Sequence, residues 1–225
     1  MIKATFRFFL AAIGLLMLGG NMHGQAQELN YVMDVYHFHD VDGTPYLEAH
    51  FAVHAAGLAY TQLANGNWQD TLDLHFKVQD LENEGVVVYD QEFALVTQEF
   101  ADTTWESLNT FITDVYRIPV TYGKHNFIGT LKDVSHPTQK VHRFESEILV
   151  EGNKNDFSFS DIQFLKSIQP AKEKTLYTKH GYNIVPANNN NTFIDADSLT
   201  LYVELYNTDQ LVEGKYFRLV VSPQH

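Results

Sequence analysis

The chain contains no cysteine. That absence excludes a disulfide framework, a thiol nucleophile, thiolate metal ligands and the lipidated cysteine of a bacterial lipoprotein. Basic residues are also scarce, with 15 Lys and Arg against 28 Asp and Glu. Such an acidic chain repels phosphate backbones and anionic headgroups, which excludes nucleic acid and the membrane surface as main partners. The acidity is spread out, as expected of a solubilising surface. Long apolar runs are missing except at the N-terminus, over residues 8–18, and that run is shorter than the ~20 residues needed to span a bilayer. Lys3 and Arg7 precede it, Gly19-Gly20 follows it, and Gly24-Gln25-Ala26 offers small residues at a cleavage site. Residues 1–26 therefore read as a secretory signal peptide. Its removal takes Lys3 and Arg7 with it and raises the acidic excess from 13 to 15. The expected protein is exported to the periplasm, outer surface or medium, with no transmembrane segment after cleavage.

Signatures of chemistry are also lacking. There is no Gly-x-Ser-x-Gly elbow, phosphate loop, dinucleotide fingerprint or His-Glu-x-x-His. No window carries an amphipathic helix, and 102–109 offers one turn at most.

What the sequence does contain is a period of two. Apolar residues fall on odd positions through Leu47, Ala49, Phe51 and Val53, and Leu72, Leu74, Phe76 and Val78 alternate with Thr71, Asp73, His75 and Lys77. Side chains in a strand point to alternate faces, so each run predicts a half-buried strand. Turn residues separate the runs at Asp42-Gly43, Asn65-Gly66-Asn67, Glu82-Asn83-Glu84-Gly85 and Tyr122-Gly123-Lys124. We expect strands near 30–38, 46–54, 57–63, 69–79, 86–97, 111–118, 125–133 and 141–150. Eight strands in so short a span predict an all-β fold, an antiparallel Ig-like β-sandwich over 27–151.

A polar, turn-rich linker at 152–156 precedes a second, smaller β module over 157–225. Strands are expected near 157–168, 199–206 and 215–221, with 170–186 and the Asn188 to Asn191 run between them. So few strands cannot close a sandwich, and they leave unpaired edges. The module must pack on the first, pair with another chain, or be incomplete. We favour the last.

Three stretches carry a resemblance: Asp42-Gly43-Thr44-Pro45-Tyr46-Leu47-Glu48, Lys179-His180-Gly181-Tyr182-Asn183-Ile184-Val185-Pro186, and Leu201-Tyr202-Val203-Glu204-Leu205-Tyr206-Asn207. Together they resemble the N-terminal β-rich region of secreted bacterial proteins named for a C-terminal GWxTD motif. The resemblance covers most of the chain and implies an extracytoplasmic β-sandwich protein. The naming motif is absent, and Gly66-Asn67-Trp68-Gln69-Asp70 is a near-match at the wrong end of the chain.

Residues 36–42, YHFHDVD, raise the question of a metal. If the first hairpin turns between Asp42 and Gly43, His37 faces Glu48, His39 faces Tyr46 and Val35 faces His50. His37, His39 and Glu48 then share a face, with His50 diagonal to them, a donor set suited to Zn²⁺ with an open position. The same register places Phe38, Tyr36 and Val32 in the core and leaves the histidines on the solvent face, where polar residues belong. It also sets Asp34 opposite Phe51, a mark against it, and a one-residue slip would scatter the set over both faces. Asp40-Val41-Asp42-Gly43 lacks the ligand spacing of a calcium loop and reads as a plain turn.

Trp68, Trp105, Tyr60 and Tyr182 lie near loops or strand ends, as do Tyr89 and Tyr122. They are candidates for binding a sugar or peptide, or for plugging the ends of the sandwich. Glu145 and Glu147 share a face with Arg143 and read as an exposed charge row. The leading expectation is a non-catalytic binding or assembly module of the cell envelope with a protein or glycan partner and no cofactor. The alternatives are a metal-dependent enzyme or binder built on the histidines, and a carbohydrate-binding module.

Overall fold

A computed structural model describes residues 29–187 and 198–208. The expected signal peptide, the Asn run and the strand near 215–221 lie outside the described residues. Fifteen strands are described: β1 (Tyr31–His39), β2 (Pro45–His54), β3 (Thr61–Gln62), β4 (Trp68–Gln69), β5 (Thr71–Asp80), β6 (Val86–Val96), β7 (Phe111–Pro119), β8 (Gly123–Asp133), β9 (Val141–Val150), β10 (Ser158–Phe159), β11 (Gln163–Pro170), β12 (Thr178–Lys179), β13 (Tyr182–Pro186), β14 (Thr200–Tyr202) and β15 (Leu205–Tyr206). A single helical turn, α1 (Trp105–Leu108), falls within the 102–109 window. The strand expected at 57–63 shrinks to β3, preceded by a 3-10 turn at Ala55–Gly57.

The long strands form two antiparallel sheets, β1-β2-β7 and β6-β5-β8-β9. Counting only these seven, the first, second and fifth pair in one sheet and the rest in the other. That is an immunoglobulin-like arrangement with the fourth strand in the larger sheet. The alternation read from the sequence builds the core. Leu47, Phe51 and Ile118 from one sheet meet Leu72, Leu74, Phe76 and Phe127 from the other, all buried. Tyr122, at the corner between β7 and β8, donates its hydroxyl to the Gly43 carbonyl at 2.8 Å and ties that corner to the first hairpin.

One face of the second module is covered by the sandwich. A four-stranded sheet, β12-β13-β11-β14, covers the outer face of β1-β2-β7, and the short β10-β15 ribbon secures its ends. Packing on the sandwich accounts for the burial of Leu165, Gln163, Lys179 and Ile184. The 170–186 stretch, read as lying between strands, itself supplies β12 and β13. The result is three layers, with the β1-β2-β7 sheet in the middle. Strand β2 is consequently buried on both faces along almost its whole length.

The register of the first hairpin corrects the sequence expectation by one residue. His37 pairs with Leu47, Tyr36 with Glu48 and Asp34 with His50. The cause is the turn. Gly43 N–H donates to the Asp40 carbonyl at 2.8 Å, Asp40 N–H donates to the Thr44 carbonyl at 2.9 Å, and Gly43 has φ +78°. This is a three-residue loop closed by a residue in the left-handed region, not a two-residue loop. The extra residue turns every side chain of β1 to the other face relative to β2.

Candidate functional site

The register shift decides where the candidate metal ligands stand. His37 and His39 share the face of Leu47 and Ala49, toward the sandwich, whereas Glu48 and His50 share the face of Tyr36 and Phe38, toward the second module. Both histidines are 5% exposed rather than solvent-facing. Phe38, Tyr36 and Val32, expected in the sandwich core, are buried instead beneath the second module, where Tyr202 packs on Phe38 with ring centroids 6.1 Å apart. The structure thus pairs Glu48 with His50 and His37 with His39, but does not gather all four. Among the described residues, no three His, Asp or Glu side chains cluster as metal ligands.

What surrounds Glu48 is a dense network of charge. His50 Nε2 lies 2.8 Å from Glu48 Oε1, Lys179 Nζ lies 3.1 Å from the same oxygen, and Arg117 Nε donates to Oε2 at 3.1 Å. The Gln163 side-chain amide closes on His50 Nε2 at 3.0 Å. The residues come from β2, β7, β11 and β12, so the network spans the contact between the sandwich and the second module. Glu48 and His50 are each 2% exposed. Burial pushes the Glu48 carboxyl up, but the His50 hydrogen bond, the charges of Lys179 and His50 and the Arg117 hydrogen bond outweigh it, holding it at about 2. Burial lowers the Lys179 pKa, partly opposed by Glu48 and Glu204. Its ammonium also sits 3.1 Å from the centre of the Phe38 ring, a cation–π contact.

The two histidines of β1 are engaged separately. His37 Nε2 lies 3.1 Å from the Phe159 carbonyl, and Nδ1 lies 2.9 Å from Asp161 Oδ2. Burial alone would lower the His37 pKa, yet Asp161 and the Phe159 carbonyl together raise it. His39 stacks on Tyr206 at 4.2 Å between ring centroids, with the edge of Tyr122 at 5.3 Å. Burial and the neighbouring His37 lower its pKa. A cavity of about 920 Å³ opens beside His37, lined also by Tyr122, Glu151, Asp156, Phe159 and Asp161.

The aromatic candidates divide likewise. Tyr60 donates its hydroxyl to the Ala55 carbonyl at 3.0 Å and packs edge-on against Phe100. Trp68 pairs its backbone with Phe100, and Trp105 lies in α1, whose Leu108 joins Ala55 and Phe100 in a small buried cluster. Tyr60 and Trp68 are half-buried, but Trp105 is 57% exposed. Its ring stacks on His54 at 5.5 Å between centroids, and Phe111 meets His54 edge-on at 5.1 Å. Tyr182 lies on β13 in the second module and is not part of this group. Arg143 and Glu145 form the expected exposed pair at 2.8 Å.

Sequence reasoning missed Lys179, Arg117 and Gln163. They reach β2 from strands 69 to 131 residues away, read from Glu48–Arg117 and Glu48–Lys179, and no local pattern announces such a contact. Asp34 opposite Phe51 was the one visible sign that the assumed register was wrong. The structure resolves it by setting Asp34 opposite His50.

A further buried carboxylate lies elsewhere. Asp70 is 2% exposed. Burial pushes it up, Ser135 opposes this, and the charge of Asp133 adds to it, bringing it to about 6.

The sequence matches no family model, and no curated protein matches it.

Proposed function

We propose that this chain is an exported, non-catalytic binding or assembly module of the bacterial cell envelope. The observation that carries the reading is how the most reactive side chains are used. Glu48, His50 and Lys179 face one another across a contact between two parts of the same chain, and they are sealed between two sheets. General acid–base work needs a group within reach of a substrate proton, and here these groups lie closed off between the two sheets. The network acts as a brace that fixes the second module rigidly on the sandwich. The resemblance to secreted GWxTD proteins supports the assignment to the envelope.

The surface offered to a partner is the Trp105–His54–Phe111 group, an exposed aromatic face where α1 meets the end of β2 and the start of β7. Aromatic rings of this kind bring large contact area at low entropic cost. Placing a photo-crosslinking residue at Phe111 should trap discrete envelope partners, while the same residue at Val41, which is 94% exposed in the hairpin loop, should trap none. Equal labelling at both positions would contradict the reading. A carbohydrate-binding role is favoured by the same exposed Trp105, and a glycan panel that quenches its fluorescence would select that role over a protein partner. The metal reading keeps a simple test: tag-free protein should carry substoichiometric zinc, copper and iron, and a full equivalent of any of them would reinstate it.

A further inference from the structure

The end of the sandwich holds a pair of like charges that no part of the brace explains. Asp70 immediately precedes β5, and Asp133 ends β8 opposite Leu72. Both are buried, at 2% and 5% exposed. Both carboxylate oxygens of Asp133 have donors: Oδ1 accepts the His136 N–H and Oδ2 the Ala59 N–H, each at 2.8 Å. Asp70 is less well supported: neither of its carboxylate oxygens has a close hydrogen-bond partner, and only the Ser135 hydroxyl and the Thr71 N–H oppose its burial. Its backbone is fixed through both of its polar groups: the N–H donates to Thr97 Oγ1 at 3.0 Å and the carbonyl accepts the Thr97 N–H at 2.9 Å.

A carboxylate this deeply buried, with no close donor and beside a second carboxylate, needs a positive partner or a proton. The chain as a whole favours the former, since it carries 28 acidic residues against 15 basic ones. The donors around the pair are oxygen: two carboxylates from separate elements and the Ser135 hydroxyl, which lies toward Asp70. His136 is close in sequence, but its Nδ1 is occupied by the Thr138 hydroxyl at 2.9 Å. Hard oxygen donors without thiolate select calcium over zinc or copper, and calcium completes its shell readily with carbonyls and water.

We propose that Asp70 and Asp133, with Ser135, form a binding site for a hard divalent cation of the calcium class at this end of the sandwich. The ion ties the segment before β5 to the end of β8 and to the loop carrying Ser135. It supplies the positive charge that Asp70 lacks and thereby stabilises the fold rather than any reaction.

Thermal unfolding of the purified chain at neutral pH tests this, with a chelator present and then with millimolar calcium chloride. Calcium at about a hundred times its Kd should raise Tm by roughly 5–10 °C. Asp70→Asn keeps the shape and removes one of the two charges. It should raise Tm in chelator above that of the parent chain and abolish the calcium response. Asp42→Asn, in the exposed hairpin loop, should leave the response whole. No calcium shift in the parent chain would overturn the proposal and mean that the pair shares a proton. A shift of equal size in Asp70→Asn would overturn it by placing the ion elsewhere.

Discussion

The middle sheet has two faces, and they are buried by different physics. On β2 the odd positions Leu47, Ala49, Phe51 and Val53 are fully enclosed against β5 and β8. The even positions Glu48 and His50 are almost as deeply enclosed, yet against Lys179, Gln163 and Arg117. The first contact is apolar and non-directional, worth roughly 25 cal/mol for each Å² removed from water. The second depends on direction, and each charge in it is tolerable only because its partners are in place. One strand thus closes a core with one set of side chains and fixes the orientation of a neighbouring module with the other. Equal burial does not mean equal tolerance: the apolar contact can slide or repack, whereas the charged one permits a single docking.

Substitutions on each face should separate the two contacts. The largest effect is expected in the apolar core, where Phe76→Ala removes a ring in contact with Phe93, Tyr116 and Phe127. It should cost about 3–5 kcal/mol and lower hydrogen-exchange protection throughout the chain. Glu48→Ala should come next, at about 3 kcal/mol, because it strands the Lys179 and Arg117 charges at the contact. Its signature differs, with amides of β11 and β13 losing protection while those of β5 and β8 keep theirs.

Acid should act on the same contact. The Glu48 carboxyl is held at about 2, below its ordinary 4.5. Its contribution, about 3 kcal/mol, is therefore fully present above pH 4.5 and lost as pH falls from 4.5 toward 2. Near-ultraviolet circular dichroism should show Tyr202 and its neighbours loosening over that window before far-ultraviolet signal is lost. Simultaneous loss of both signals would break the distinction between the two faces. The smallest effect should follow Gly43→Ala. Its φ of +78° disfavours a side chain, and a Cβ there would meet Lys154 Cγ at 2.9 Å, for a cost of about 1–2 kcal/mol measurable by denaturant unfolding.

Much of the architecture was legible in the sequence because a half-buried strand leaves a period of two. The long strands appear within a residue or two of their expected places, as at 141–150 and at 111–118 against Phe111–Pro119. The faces of the first hairpin were not legible. Asp42-Gly43 announces a turn, but it does not say whether the loop has two residues or three, and that one residue exchanges His37 for Tyr36 opposite Glu48. Nor does alternation distinguish a wet polar face from one sealed by another module. Glu48 and His50 looked like solvent-facing residues because the groups that cover them, Gln163 and Lys179, lie more than a hundred residues further on. The Asp70 and Asp133 pairing was equally invisible, since only the folded sheet brings the start of β5 and the end of β8 together.

The central claim is that Glu48 and Lys179 hold the second module on the sandwich by acting as a pair. A double-mutant cycle with Glu48→Gln and Lys179→Met, read by denaturant unfolding, tests it most directly. The predicted result is a coupling above about 1.5 kcal/mol, with the double variant more stable than the sum of the single losses implies. Losses that add to within about 0.5 kcal/mol would show that the two residues act independently, and would contradict the account.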